Sequence, residues 1–464
     1  MTDVNQQSQP DPKEDAYDPH IQLDYMADLK EALRSEDSEA VLPLVDDLLP
    51  ADLADVLEVL PARERGVLVD LLGDRLDPEV LTEVEGEARD QMLDQLPTQK
   101  IAEVVLELDS DDAIDVLEDM DLRDRDEVLA SIEDSERRAF EKALAYPEES
   151  AGRLMQTSFL ALPEFWTVGQ TIDLLRTEDE NLPTDFYDVF IVDPMHRPLG
   201  KVPVSRILRM QRSACLGEVM LADPHLVDPF EDQEEVAYQF AKYHLISAAV
   251  VDESKRLVGV ITVDDVVDVI GEEASEDILA LAGVADAGVN ESVADIAKSR
   301  FSWLLVNLGT AILASLVIGI FEDSLQQMVA LAVLMPIVAS MGGNAGTQTM
   351  TVAVRALATK ELSGVNAPRV LRREVLISLL NGLGLAIIAG GTAWAWFGDP
   401  MLGAVFSIAM IINLLFAAAG GLLIPLGLTK IGVDPAVSSS VFVTTLTDVI
   451  GFFAFLGLAV LALL

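Results

Sequence analysis

Cysteine and histidine are nearly absent from this chain of 464 residues. The one cysteine is Cys215, so no disulfide can form within the chain and no zinc site of several thiolates is available. The four histidines, at positions 20, 196, 225 and 244, show no spacing typical of a set of metal ligands. The P-loop pattern G-x-x-x-x-G-K-[ST] is also missing, and no other motif indicates an enzyme.

Basic residues are scarce as well: 31 lysines and arginines stand against 78 acidic residues, a net charge of -47. From residue 301 onward there are seven acidic and six basic residues, so the first 300 residues carry -46. This charge excludes nucleic acid as a partner. Two interpretations remain open, a cation sensor lined by carboxylates and the solvated surface of a protein from a salty cytoplasm.

The N-terminus has no apolar segment, so it is neither a signal peptide nor a transit peptide. Residues 1–20 are polar and acidic, and we expect them to form a disordered tail that begins in the cytoplasm.

Long apolar runs occur only in the second half, at residues 301–321, 328–354, 375–397, 401–429 and 435–464. Each is long enough to span a bilayer, which takes about 20 residues. The connectors alternate in charge: basic residues precede the first run and fill the second and fourth connectors, whereas the first and third are acidic. The positive-inside rule therefore predicts a multi-pass protein of the cell (inner) membrane, with the first 300 residues in the cytoplasm and the C-terminus outside.

The second run contains the stretch PIVASMGGNAGTQ at residues 336–348. A proline, three glycines, an asparagine and a glutamine at membrane depth indicate a helix that faces protein or water, because each polar group needs a partner there. Peptide oxygens and the Asn344 amide would then line a lumen. The alternative is helix packing alone, since Gly342 and Gly346 fit the small-xxx-small pattern.

The pattern P-x-x-x-x-M-G-G-N-x-G-x-Q of this stretch resembles the MgtE family of magnesium channels and transporters. The resemblance covers nearly the whole chain and implies a multidomain fold. Its parts are an all-α superhelical cytosolic N-domain (21–149), an α/β tandem CBS pair (150–271), a connecting or plug helix (272–300) and a transmembrane pore domain of five helices (301–464). It also implies a homodimer that moves Mg²⁺ down its electrochemical gradient.

Within the first domain, apolar residues recur at helical spacing, and LADVLEVL at 53–60 is echoed by IAEVVLEL at 101–108. This pattern predicts a short superhelix of stacked helices. Asp111 and Asp115 stand at i and i+4, where two carboxylates repel unless a cation or water separates them. A solvated helix face is the alternative, but the resemblance implies that such carboxylates bind metal opposite the CBS pair.

The second domain is a tandem repeat, because five positions of the first copy return 59 residues later (Val192, Asp193, Arg197, Gly200 and Val204; Val251, Asp252, Arg256, Gly259 and Val263). The copies look like a CBS pair. In the second copy Thr262 and Asp265 fit the T-x-x-D pattern that holds ATP or another adenine nucleotide. The first copy has Pro203 and Arg206 there, so we expect at most one nucleotide site per chain. The alternative is acidic charge at a helix N-terminus.

An amphipathic helix at residues 263–270 is followed by an acidic helix at 271–281, in which Glu272 and Glu276, and Glu273 and Asp277, are i and i+4 pairs. In the resembling family this connecting helix moves when cytosolic Mg²⁺ binds between the domains. Acidic surfaces that repel without metal would be bridged by it, and the pore would close. The predicted regulatory metal ligands are Asp111, Asp115, Asp265, Asp268, Glu276 and Asp277.

Asp448 lies thirteen residues after Pro435 and sixteen before the chain end, near the middle of the last run. Inserting a carboxylate there costs about 2.5 to 3.5 kcal/mol, so we expect Asp448 to face away from lipid, and it is a functional candidate. A protonated or interhelically hydrogen-bonded Asp is the alternative. Mg²⁺ keeps several waters and binds one or two carboxylates, and the resemblance implies that two Asp448 of a dimer supply them, with Asn344, Gly342 and Gly343 shaping the filter wall.

Two other functions stay open from the sequence. A transporter of Co²⁺, Ni²⁺ or Mn²⁺ would use similar residues, because selectivity depends on fine geometry. A CBS-based membrane sensor that does not conduct ions is the second alternative, and the carboxylate within the membrane argues against it.

Overall fold

The computed structural model describes residues 19–35, 38–177, 182–183, 186–222, 224–284 and 293–463. The predicted acidic tail falls outside this set, except that residues 19 and 20 belong to the first helix. The chain divides into two compact units, Met1–Ile270 with Gly288–Glu291 and Gly271–Ala287 with Ser292–Leu464.

The first part of unit 1 is a stack of short helices: α1 Pro19–Arg34, α2 Ser38–Val45, α3 Pro50–Val59, α4 Ala62–Leu72, α5 Val80–Glu83, α6 Gly86–Gln95, α7 Thr98–Glu107, α8 Ser110–Asp119, α9 Leu122–Ser131 and α10 Asp134–Ala143. A leucine in extended conformation ends α3, α6 and α7. The leucines and valines at helical spacing form one continuous core, in which Leu57, Leu81 and Leu117 are fully buried. The predicted helical superhelix is confirmed.

Buried arginines join successive helices of this stack. The Arg65 guanidinium donates to the carbonyl oxygens of Leu57 (2.8 Å) and Leu60 (3.0 Å) at the end of α3. Arg89 donates in the same way to Val84 (2.6 Å) and Thr82 (3.1 Å) at the end of α5. Carbonyls at a helix C-terminus have no partner within the helix, so these arginines complete the backbone hydrogen bonding of the stack.

The rest of unit 1 is a mixed α/β repeat: α11 Ala151–Leu154, β1 Ala161–Pro163, α12 Val168–Leu174, β2 Asp188–Val192, β3 Pro198–Pro203, α13 Val204–Ile207, α14 Leu216–Val219, β4 Leu221–Ala222, β5 Leu226–Val227, α15 Gln233–Tyr243, β6 Ser247–Val251, β7 Leu257–Thr262 and the first residues of α16 Val263–Leu281, whose remainder belongs to unit 2. The sheets have the orders β1-β2-β3-β4 and β5-β6-β7. In each, a parallel pair precedes an antiparallel hairpin.

The two hairpins repeat each other residue for residue. Asp188 pairs with Pro203 in the first, and Ser247 pairs with Thr262 in the second. The irregularity after Ile191 recurs after Val250, and both displacements are the 59 residues of the sequence repeat. The predicted tandem architecture is therefore confirmed.

One boundary differs from the sequence prediction. The sequence suggests a helix at 263–270 and a separate acidic helix at 271–281, whereas α16 runs without a break from Val263 to Leu281. A glycine weakens a helix by only about 1 kcal/mol relative to alanine, so Gly271 does not force an end. The last helix of the repeat and the connecting helix are one element.

Unit 2 contains five long apolar helices, α17 Val293–Ile320, α19 Val329–Ala358, α20 Ala367–Phe397, α21 Pro400–Lys430 and α22 Pro435–Leu463, with the short α18 Glu322–Gln327 after the first. All five are long and apolar enough to cross a membrane, as predicted. Helix α21 is central, because it packs against α19, α20 and α22. More than half of its most apolar segment is buried (56%), against 6% for α17.

Candidate ion pathway and regulatory carboxylates

Helix α19 has a packed face and an open face. Gly342 and Gly346 lie on the packed face, where a Cβ at Gly346 would stand 2.6 Å from Val443 of α22. Ser340, Asn344 and Gln348 lie at i, i+4 and i+8 on the exposed face, and the Asn344 amide is 3.5 Å from the Ser340 hydroxyl. Gly343 borders this face, with open space where a Cβ would stand. The stretch thus combines helix packing with a polar row.

Helix α22 carries a similar row of Ser440, Thr444 and Asp448 at i, i+4 and i+8. The Thr444 hydroxyl donates back to the Ser440 carbonyl (2.8 Å), as hydroxyls in membrane helices do. Asp448 is partly exposed, and among the described residues its carboxylate has no hydrogen-bond or ion-pair partner. The interhelical hydrogen bond considered for Asp448 is thus not formed within the described chain. Since α19 and α22 pack together, two polar rows belong to one bundle.

Asn413 of α21 fixes these two helices against each other. Its side chain is fully buried, and its amide nitrogen donates to the Val338 carbonyl of α19 (2.9 Å). A Cβ at Gly342 would collide with this amide, and one at Gly451 of α22 would approach its nitrogen to 2.7 Å. Two glycines, one on each neighbouring helix, therefore admit one buried asparagine.

A cluster of carboxylates lies in unit 1 where α8 of the helical stack meets the start of α16. Asp111 is buried (7% exposed), and neither of its carboxylate oxygens has a hydrogen-bond partner among the described groups. Burial, with Asp265 and Asp112 nearby, raises the pKa of Asp111 well above its ordinary value. Burial, Asp265 and Asp109 likewise raise the pKa of Asp112 to about 7. The cluster therefore brings together acidic groups whose ionised forms are disfavoured unless a cation joins them.

Asp265 is the second member of this cluster. Burial raises its pKa to about 6, although the hydrogen bond donated by the Thr262 hydroxyl (2.6 Å) works in the opposite direction. The two residues predicted to bind a nucleotide thus bond to each other, and Asp265 belongs to both predicted sites. Oxygen donors of this kind suit Mg²⁺, which binds one or two carboxylates and retains waters.

The remaining predicted regulatory residues are distributed more widely. Asp115 accepts a hydrogen bond from Arg89 (2.7 Å), so its carboxylate has a cationic partner, whereas the oxygens of Asp111 have none. Burial raises the pKa of Glu83, and the nearby Asp268 raises it further. Within unit 2, burial followed by Asp434 raises the pKa of Asp277, and Glu276 is exposed on the same helix.

Three carboxylates were not found by reasoning from the sequence: Asp112, Glu83 and Asp434. Asp112 adjoins Asp111, so its neighbourhood was a usable signal. Glu83 and Asp434 are close to their partners only through the fold, and nothing in their local sequence distinguishes them from other acidic residues.

Comparisons with known proteins place the chain in a class. A family model described as a divalent cation transporter, MgtE, matches residues 335–458. The MgtE intracellular N domain matches residues 48–149, and a CBS domain matches residues 216–272. The fold and these matches define a multi-pass membrane transporter of divalent cations.

The full-length relatives define the family. The magnesium transporter MgtE of Thermus thermophilus is 34% identical over 441 residues, which cover 94% of this chain and 98% of that protein. The magnesium transporter MgtE of Bacillus subtilis is 29% identical over 90% of this chain and 92% of that protein. A crystal structure of the cytosolic domain of the Mg²⁺ channel MgtE in complex with ATP is 30% identical and covers 53% of this chain and 99% of that one (TM-score 0.49). The chain belongs to the MgtE family of magnesium transporters.

The contact around Asn413 predicts that two adjacent glycines differ in their tolerance of a methyl group. Gly342→Ala would overpack the Asn413 amide and is expected to cost about 1 to 3 kcal/mol. Gly343→Ala meets open space and should be neutral or stabilising, because alanine favours a helix. Thermal unfolding of the detergent-purified chain, followed by tryptophan fluorescence, measures both. The Gly342→Ala, Asn413→Ala double variant should lose less than the sum of the single losses, whereas equal losses for both glycines would contradict the contact.

The raised pKa values predict how the stability of unit 1 depends on pH. Between the ordinary aspartate pKa of 3.8 and the raised values of about 6 for Asp265 and about 7 for Asp112, the folded state holds more protons than the unfolded state. Without Mg²⁺, stability should therefore fall as the pH rises through this range. Mg²⁺ should restore it at pH 8, by about 2.7 kcal/mol at a concentration one hundred times its dissociation constant.

Thermal unfolding of the full chain at several pH values, with and without Mg²⁺, measures this effect. Asp111→Asn should remove the contribution of Asp111 to the pH dependence, leaving that of Asp112 and Asp265, and should remove most of the Mg²⁺ stabilisation. Asp134→Asn is the matched control, because Asp134 is an exposed aspartate of the same helical stack, paired with Arg137. Equal pH dependence and equal Mg²⁺ stabilisation in Asp111→Asn and Asp134→Asn would refute the assignment of Asp111 to a Mg²⁺ site.

Proposed function

We propose that this protein is a channel-like, Mg²⁺-selective transporter that operates as a homodimer. The observation that carries the proposal is Asp448, in the polar row on α22. Its carboxylate is partly exposed and has no partner among the described residues, and its helix is long and apolar enough to cross the membrane. Hydrocarbon cannot satisfy such a group, so it needs water, an ion or a second chain. In a homodimer, a two-fold axis beside the polar rows on α19 and α22 would bring water, an ion and the second chain to these residues.

Two Asp448 carboxylates facing one axis would attract a divalent cation more strongly than a monovalent one. They would replace few of the ion's waters, in keeping with the slow dehydration of Mg²⁺. Asn344 and Gly343 on the open face of α19 would line the wall of the ion pathway. Gly342, on the packed face, would set how closely α21 approaches α19. The electrochemical gradient of the ion drives the movement in this proposal.

Cytosolic Mg²⁺ closes the pathway in this proposal by binding the carboxylate clusters. In this proposal Asp111 and Asp265 supply the carboxylates of the principal site, with Asp112 and Asp115 beside it, because the unpaired oxygens of Asp111 are buried next to other acidic groups. Asp268 near Glu83, and Asp277 near Asp434, would extend the effect along α16, together with Glu276 on the same helix. A single helix that runs from the repeat into unit 2 is suited to transmit it.

Two further assignments accompany this function. The basic connectors support a cytoplasmic location for the first 300 residues, and an odd number of crossings would then put the C-terminus outside. Thr262 and Asp265 are assigned to one ATP or adenine nucleotide site per chain, where a bound nucleotide would alter the carboxylate that also faces Asp111.

The pore assignment predicts that Asp448→Asn abolishes most Mg²⁺ flux into liposomes that hold the purified protein. A carboxylate about 4 Å from an ion contributes about 4 kcal/mol at an effective dielectric of 20, so a loss of about a hundredfold is expected even after screening by water. Glu322→Gln, which removes an exposed acid at the start of α18, is the control and should conduct normally. Full flux through Asp448→Asn would remove the pore assignment, and flux of Co²⁺, Ni²⁺ or Mn²⁺ in preference to Mg²⁺ would change the substrate.

The gate assignment predicts that flux falls as Mg²⁺ rises on the side that faces unit 1. Asp111→Asn and Asp265→Asn should each require more Mg²⁺ for closure, with flux at low Mg²⁺ unchanged. Asp173→Asn is the control, because Asp173 pairs with Arg212 on the surface of the first repeat copy. Flux that ignored Mg²⁺ on that side in the native protein would end the gating proposal while leaving the pore intact.

A further inference from the structure

The basic residues of unit 2 are concentrated around the start of α20. Five of the six lysines and arginines after residue 300 lie between positions 355 and 373. Arg369, Arg372 and Arg373 are all exposed and lie within the first seven residues of the helix. At positions i, i+3 and i+4 they occupy one face.

The same face continues into the apolar surface of the helix. Leu376, Leu380 and Ile387 follow the arginines at helical spacing, and they are 56%, 63% and 75% exposed. One helical turn is about 5.4 Å, so the arginines stand a turn or two above the first apolar residues of a membrane-spanning helix. That is the level at which lipid phosphates meet acyl chains.

The protein itself neutralises little of this charge. Glu374 is buried and pairs with Arg373 (3.2 Å). Within the described residues, Arg369 and Arg372 have no ion-pair partner. Arginine presents a planar fork that matches phosphate oxygens in bidentate fashion. The face therefore combines two unpaired phosphate-binding groups with a surface for hydrocarbon.

We propose that the Arg369–Arg372–Arg373 face of α20 binds the headgroup of an anionic phospholipid, one of whose acyl chains lies along Leu376 and Leu380. The acidic segments of the chain could also offer negative charge, but they would leave the adjoining apolar row uncovered, whereas a phospholipid covers both. This site is independent of the ion pathway, so it stands or falls without reference to Mg²⁺ flux.

The test is native mass spectrometry of the full-length protein released from vesicles of equimolar phosphatidylglycerol and phosphatidylcholine. The native protein should retain phosphatidylglycerol in preference. Arg369→Gln and Arg372→Gln should each weaken this preference about fivefold, because a basic residue near an anionic membrane surface contributes about 1 kcal/mol. Replacing both by lysine should keep part of the preference, since the charge remains without the fork.

Lys430→Gln is the matched control, since it removes an exposed basic residue of unit 2 at the end of α21, away from the start of α20. It should leave the preference unchanged, and excess inorganic phosphate should not displace the lipid. Equal retention of the two lipids, or a preference that both glutamine variants keep, would overturn the proposal. Gel filtration and circular dichroism of each variant confirm that a loss reflects the site and not unfolding.

Discussion

Hydrocarbon offers no hydrogen-bond partner to a polar side chain, and this constraint sorts the polar residues of the membrane helices into two groups. Asn413 and Ser407 of α21 turn inward and bond to carbonyls of α19 and α20. The row on α19 is exposed and the row on α22 is exposed in part, so the described chain leaves them incompletely covered. The first group holds the bundle together, and the second requires water or another chain. The candidate ion pathway follows from that division.

The inward-facing polar residues also explain why glycines occur where the membrane helices contact each other. Helices that bury a polar side chain between them must approach closely, and Gly342 and Gly451 leave room for the Asn413 amide from two sides. Gly403 and Gly390 make a similar close approach between α20 and α21, with the Ser407 hydroxyl bonded across it. Small residues with an interhelical hydrogen bond replace the hydrophobic effect, which does not operate between helices in lipid.

Unit 1 poses a different problem, because it buries acidic side chains. Asp111 and Asp265 approach each other although both are acidic, and their ordinary ionised forms destabilise that contact. A contact of this kind persists only if a proton or a cation offsets the repulsion. In the gate proposed above, the same residues would respond to the concentration of a divalent cation, and the repulsion between their carboxylates would supply the energy for the response.

The repeat in unit 1 is symmetric in its backbone and asymmetric in its chemistry. Asp188 and Ser247 occupy equivalent positions of the two hairpins, and they hydrogen-bond to each other (2.7 Å) with Lys201 pairing to Asp188. Thr262 and Asp265, by contrast, have Pro203 and Arg206 as their counterparts. One copy thus supplies the carboxylate that faces α8, and the other cannot.

The sequence by itself determined the order of the domains, the five membrane helices and the tandem repeat, because each follows from local periodicity, from run length or from an exact displacement of 59 residues. It also singled out Asp448, since a carboxylate in an apolar run is conspicuous. Only the tertiary structure decided that Asp111 lies near Asp265 and that Asp115 pairs with Arg89. It also decided that Gly342 contacts Asn413 and that Asp277 lies near Asp434. These pairs join residues far apart in the chain, and the periodicity of one helix fixes which residues share a face but not which residue of another helix that face meets.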